Sequence, residues 1–184
     1  MKKRISVRSK MLTVVTKGDI EVGAVDKLQA HLGKGTLHRA FTAILVNDKK
    51  EILLTKRALQ KPLWPTYWDG SFSSHPWVGE SLEAACERRA KEELGIEVAG
   101  FKDLFSYYYQ VRWNSLFSEH EINHILLSRY NGELKPDREE VSEWKWLSWE
   151  KVTDWVKKEP EVMAPWWIMA VEKIESEKWL QKTL

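Results

Sequence analysis

Cysteine, long apolar runs and net charge are what this sequence has least of, and each shortage excludes something. Cys86 is the only cysteine in 184 residues, so no disulfide can form within the chain. That fits a reducing compartment, and a cytoplasmic location is expected. No apolar run approaches the ~18 residues of a membrane helix, and no signal-peptide pattern opens the chain, so membrane insertion is not expected. The formal net charge is +2, too weak a field to argue for nucleic acid or an anionic surface as partner. The basic cluster Lys2, Lys3, Arg4, Arg8 and Lys10 reads as a solvated extension over residues 1–11. Residues 12–184 then make one domain, long enough for a sizeable core and too short for two. With 43% apolar and 30% charged residues, the composition is that of a folded globular chain. Tryptophan, by contrast, is abundant. Trp64, Trp68, Trp166 and Trp167 stand beside prolines or within the motif regions, where flat apolar walls can line a pocket.

Strand patterns run over 12–15, 40–46 and 51–55, the last two joined by Asn47-Asp-Lys-Lys50 as a hairpin. Residues 61–79, with three prolines and two glycines, read as a structured loop. A helix follows: Ser81 is its expected N-cap, Leu82, Ala85, Cys86, Arg89, Ala90 and Glu93 recur at helical spacing, and Gly95 closes it. Strands are expected over 96–98, 104–113, 122–129 and 143–147, and helices over 149–157 and 166–180, the last stepping through Trp167, Val171, Ile174 and Lys178. The interleaving predicts an α/β fold, a mixed sheet sandwiched between helices. Cys86, one turn from Leu82, reads as a small buried hydrophobe.

Two groups of residues carry chemistry. Glu80, then Arg88-Arg-Ala-Lys-Glu-Glu-Leu-Gly95, resembles the Nudix box, a loop–helix–loop that holds a divalent cation against a diphosphate. A hard cation held by carboxylates bridges that anion to an otherwise repelling acidic surface. Hydrolases of that superfamily carry Gly where Ser74 stands and Glu where Arg89 stands, so here a guanidinium replaces a metal ligand. The plainer alternative is a solvated helix laced with i,i+4 ion pairs. The second group is His31, His38 and His75 with Glu119 and Glu121, the two carboxylates flanking His120. Three imidazoles and two carboxylates suit Mn²⁺, Mg²⁺ or Zn²⁺, and residues two apart in a strand share one face. Scattered histidines alone are more often caps or surface residues.

Taken in order, His31-x6-His38, Arg57-Ala-Leu-x-Lys61, Trp64-Pro, Ser73-Ser-His-Pro76, Arg88-Arg-x3-Glu-Leu-Gly95, Glu119-His-Glu121 and Pro165-Trp166 resemble type I isopentenyl-diphosphate isomerases, which have the Nudix fold. The likeness spans roughly residues 12 to 180. It implies an isomerase that moves a carbon–carbon double bond between isopentenyl and dimethylallyl diphosphate, with a small prenyl diphosphate as its partner in a monomer or weak dimer. A Nudix hydrolase cutting a nucleoside or prenyl diphosphate is the alternative. The resemblance implies one metal at His31, His38, His75, Glu119 and Glu121, and a substrate-linked Mg²⁺ at Glu93. It implies diphosphate contacts at Lys27, Arg57, Lys61 and Arg89, and Trp166 against the cationic carbon.

The implied chemistry protonates one carbon of an unactivated alkene and deprotonates another, through a tertiary carbocation. Glu121 would serve on one face, assisted by Tyr109, with Tyr107 as the same-face alternative. On the other face the family carries a cysteine, and this chain carries Ser73. A thiol with a pKa near ~8.5 is readily tuned to the thiolate; an aliphatic hydroxyl is a far weaker acid. Asp69-Gly70 is a second departure, since the family has a Thr-Asn-like pair there. The added carboxylate is a candidate base or cation ligand.

Overall fold

The computed structural model describes residues 11–177. The expected N-terminal extension lies outside the described residues apart from Met11, which opens β1. The expected helix end over 178–180 also lies outside them.

In chain order the elements are β1 (Met11–Val15), β2 (Glu21–Asp26), α1 (Lys27–His31), β3 (His38–Val46), β4 (Glu51–Arg57), β5 (Trp68–Asp69) and β6 (Phe72–Ser74). They continue through α2 (Leu82–Leu94), β7 (Lys102–Arg112), β8 (Ser118–Arg129), β9 (Val141–Ser148), α3 (Trp149–Lys158) and α4 (Pro165–Glu177). β3 is the axis. It pairs in parallel with β8 from His38↔Glu121 to Val46↔Arg129, and β8 pairs antiparallel with β7.

The β3–β4 turn forms as expected, with Asn47 Oδ1 accepting the amides of Lys49 and Glu51. The two strands then separate at once, sharing only Val46↔Ile52. The segment Asp69–Phe72 wedges between them. β5 pairs with β4, β6 pairs with β3, and the Ser71 hydroxyl bridges the Leu45 amide and the Leu53 carbonyl. The stretch expected as a loop over 61–79 therefore contributes two short strands to the middle of the sheet. Gly70 permits this, because a Cβ there would stand 2.8 Å from Thr42 Cγ2. β4 completes its pairing with β9.

Strands buried on both faces read as continuous apolar runs, and alternate residues of β3 enter different cores. Phe41, Ala43 and Leu45 join Leu53, Leu126 and the α2 residues Ala85, Cys86, Ala90 and Leu94. Ile44 and Val46 join Ile52, Leu54, Ile125, Leu127 and residues of α3 and α4, among them Val152, Trp167 and Ile174. The result is the expected sheet between helices.

α2 is bounded as its sequence indicates. Ser81 Oγ accepts the Ala84 amide at 3.1 Å, and Gly95 ends the helix at φ 65°. A Cβ at Gly95 would meet the Lys135 carbonyl at 2.5 Å. Cys86 is fully buried, and burial pushes its thiol far up. The strand expected over 96–98 is absent: Ile96 packs against α2 without a partner strand. β2 and α1 were not expected. β2 is an exposed edge strand paired only with β1, and α1 is too short to show a helical period.

Candidate active site

Strand register brings the first group together. β8 starts at Ser118, four residues before the expected strand, so both Glu119 and Glu121 lie within it. Period 2 turns both carboxylates to one face, while His120 turns away to the Gly35 carbonyl at 3.0 Å. Glu121 is paired with His38 on β3 and with Tyr109 on β7. α1 supplies His31, its first turn fixed by Asp26 Oδ1 capping the Leu28 and Gln29 amides. His75 follows β6. Ligand atoms of His31, His38, His75, Glu119 and Glu121 all lie within 4.8 Å of one another, and all five residues are buried.

The ring orientations suit metal ligation. His31 Nδ1 donates to the Lys27 carbonyl at 2.6 Å and His38 Nδ1 to the Thr36 carbonyl at 2.7 Å, which leaves each Nε2 free as a lone-pair donor. Within the group, His75 Nε2 stands 2.8 Å and His38 Nε2 3.3 Å from Glu121 Oε1, and His31 Nε2 stands 3.0 Å from Glu119 Oε2. Yet His38 Nε2, His75 Nδ1 and Glu119 Oε2 are buried without any hydrogen bond. Orphaned buried polar atoms of this kind are costly, and a dication among them would remove the penalty and neutralise both carboxylates. The donor set fits a divalent ion.

The protonation pattern follows from crowding. Burial and the charge of Glu121 push Glu119 up, against the pull of His31. Burial opposes the charge on Glu121, but contacts with His38 and His75 hold its carboxyl well below the usual range. Burial pushes His75 well down, whereas Glu119 outweighs burial at His31 and raises it. Tyr109 donates its hydroxyl proton to Glu121 Oε2, and burial beside that carboxylate drives the phenol well up.

Above this group lies a cavity of about 430 Å³, within the roughly 300–1,000 Å³ of small-molecule sites. Its lining includes His31, His75, Glu119, Glu121 and Tyr109, together with Ser73, Trp166, Lys27, Arg57, Lys61 and Arg89. His38 is fully buried behind it. Glu93 lies outside the five-residue group: it accepts from Arg89 Nε at 3.0 Å and faces Lys61 Nζ at 3.6 Å. Lys61 also pairs with Glu140, which stands 3.2 Å from Arg89 Nη2. Arg57 is pinned to the Trp64 and Leu63 carbonyls at 3.0 and 2.9 Å, its guanidinium 5.2 Å from the Trp166 ring centre. Tyr107 is drawn elsewhere, donating to the Trp166 carbonyl at 2.5 Å and accepting from Asn123.

Glu140, Thr42 and Asn123 are site residues that sequence reasoning missed. Asn123 is two residues beyond Glu121 and Thr42 four beyond His38, so extending the strand period would have found both. Nothing in the sequence marks Glu140 apart from other surface acids.

The NUDIX domain family matches residues 36–167. An isopentenyl-diphosphate Delta-isomerase of Photorhabdus laumondii is 33% identical over 156 residues, covering 84% of this chain and 89% of the relative. One from Haloarcula marismortui is 34% identical over 170 residues, covering 88% and 89%. Among solved structures, a Deinococcus radiodurans protein superposes with a TM-score of 0.70 at 20% identity, over 89% of this chain and 98% of its own. A MutT protein from Methanosarcina mazei gives 0.64 at 20% identity, over 77% and 95%. These two support the fold alone. No helix among the described residues is long and apolar enough to cross a membrane. By family match and by identity over most of its length, this chain belongs to the type I isopentenyl-diphosphate isomerases of the Nudix superfamily.

Proposed function

We propose that the protein interconverts isopentenyl and dimethylallyl diphosphate by protonation at one carbon and deprotonation at another. The observation that carries this reading is a buried His₃Glu₂ group opening onto a cavity that also holds Lys27, Lys61 and Arg89. The cations bind the diphosphate, for which Glu93 and Glu140 act as internal counter-charges until it arrives. A substrate-linked Mg²⁺ at Glu93, as the resemblance implies, would supply the same neutralisation from the ligand side. His31, His38, His75, Glu119 and Glu121 would hold a divalent ion, Mn²⁺, Mg²⁺ or Zn²⁺ by their mixed imidazole–carboxylate donors, and its positive charge would make the Glu121–Tyr109 pair a better acid.

Glu121 and Tyr109 hold the proton that goes to the alkene, since the phenol already donates to that carboxylate. Trp166 offers its indole face to the carbocation, braced edge-on by Trp64 at 5.3 Å between ring centres. The small-molecule substrate needs no second chain, and a monomer or weak dimer in the cytoplasm is the working expectation. Purified protein with Mg²⁺, Mn²⁺ and isopentenyl diphosphate is expected to yield dimethylallyl diphosphate by proton NMR. Absence of both turnover and binding would overturn the proposal. A hydrolase would need carboxylates of α2 free to hold a cation, but Glu92 is exposed and taken up by Arg88 and Arg89 at 3.3 and 2.7 Å. Phosphate release across nucleoside and prenyl diphosphates decides against it or for it.

A further inference from the structure

Ser73 lines the cavity, and behind it, 1% exposed, stands Asp69. The serine hydroxyl donates to Asp69 Oδ1 at 3.0 Å. The same oxygen accepts the Gly70 amide at 2.7 Å and the Trp166 indole N–H at 2.9 Å, while Arg57 stands 3.5 Å from Oδ2. Upstream, Asn123 Nδ2 donates to Thr42 Oγ1 at 3.1 Å, and Thr42 Oγ1 lies 2.9 Å from Ser73 Oγ. With the serine proton on Asp69, Thr42 is the donor in that contact. The hydrogen bonds thus run in one direction, Asn123 to Thr42 to Ser73 to Asp69, and end on a carboxylate. This network is separate from the Glu121–Tyr109 pair, although both reach the same cavity.

We propose that Asp69 is the positioning residue that holds the Ser73 proton, so that the two side chains together perform the proton removal a lone hydroxyl cannot. The inference rests on the isomerase reading above. In the forward step a substrate C–H bond breaks and its proton passes to Ser73 Oγ, as the serine's own proton passes to Asp69 Oδ1. The electron pair left on carbon becomes the new double bond and quenches the tertiary cation made by proton delivery from Glu121–Tyr109. No oxidant or reductant enters, and exchange of protons with water in the cavity restores Asp69 and Glu121. Burial pushes the Asp69 carboxyl above its usual range, against Arg57 and its hydrogen bonds, which favours its holding a proton during turnover. An alkoxide is thereby avoided.

The test is a double-mutant comparison. Asp69→Asn keeps the shape and removes the proton acceptor, and is expected to lower kcat by about 100-fold or more with KM and inorganic-diphosphate affinity within about threefold. In a Ser73→Cys background, where the thiol ionises by itself, the same Asp69→Asn change is expected to cost less than about tenfold. Equal losses in the two backgrounds would make Asp69 structural and overturn the inference. So would an inactive native chain whose Ser73→Cys variant turns over. Should neither native chain nor Ser73→Cys act on isopentenyl diphosphate, the isomerase reading falls and takes this inference with it. Asp69→Thr, which retains a hydroxyl acceptor for Gly70 and Trp166, replaces Asn where Asn disturbs folding.

Discussion

Two clusters among the described residues combine histidine with carboxylates, and they differ in whether a metal ion could be held. At the cavity floor, His31, His38, His75, Glu119 and Glu121 are all buried, and three of their polar atoms have no hydrogen bond. Further along β8, His124 is held at both ring nitrogens, by Asp103 at 2.8 Å and Asp19 at 3.0 Å, with Asp19 also bound by Arg39 at 2.8 Å. The residue types are the same. What differs is satisfaction: the second cluster is closed by protons and a guanidinium, whereas three buried polar atoms of the first have no hydrogen-bond partner. Composition alone does not make a metal centre; unsatisfied donors converging within ligand distance do.

The largest expected effect follows directly. His75→Ala removes one donor and should lower Mn²⁺ or Zn²⁺ affinity at least about 100-fold by calorimetry, with loss of isomerase turnover, while His124→Gln should leave metal stoichiometry at its native value. Chelation offers the same contrast without mutation. An ion present at about 100 times its Kd stabilises a fold by roughly 2.7 kcal/mol, which at this chain length is about 5–10 °C in Tm. EDTA should take that increment from the native chain and at most about 0.4 kcal/mol from His75→Ala, in which the same ion concentration no longer exceeds Kd. Equal responses would erase the distinction between the clusters.

An intermediate effect is expected at the cationic end of the cavity. There the charges are already paired, Lys61 and Arg89 with Glu93 and Glu140, so an incoming diphosphate must displace internal partners. Burial opposes the Glu140 charge, but Lys61 and Arg89 hold its carboxyl below the usual range. Glu140→Gln frees both cations and should tighten inorganic-diphosphate binding about three- to tenfold, measured by calorimetry. Arg89→Ala should weaken it by at least as much. A Glu140→Gln variant that binds diphosphate more weakly would show that the carboxylate orients the cations rather than competing for them.

How much of this was legible beforehand depended on whether a residue's role was local. The α2 caps at Ser81 and Gly95 were readable because a cap bonds to its own helix. The His/Glu set was readable through its spaced motifs, although what joins its members is the His38↔Glu121 pairing between strands distant in sequence. The insertion of Asp69–Phe72 between β3 and β4 was not readable. It depends on Ser71 satisfying two strands at once and on the space that Gly70 leaves beside Thr42. The same insertion brings Ser73 against Asp69, Thr42 and Trp166, so the least legible part of the fold sets the most unusual part of the site.

The smallest effect belongs to the closed cluster. Burial works against the His124 charge, but the hydrogen bonds and charges of Asp103 and Asp19 raise its pKa above 6.5. A histidine with a raised folded-state pKa binds its proton more tightly folded than unfolded. Its stabilisation is therefore fully present below the unfolded value of about 6.5 and disappears as pH rises through the higher folded value. His124→Gln keeps the shape and removes the charge. It should lower Tm by roughly 2–4 °C at pH 5.5–6.5, corresponding to about 1 kcal/mol after screening by solvent, and by progressively less toward pH 8. A Tm difference that stayed constant across this range would mean that His124 contributes by shape and neutral hydrogen bonding, and the two clusters would then differ in burial but not in charge.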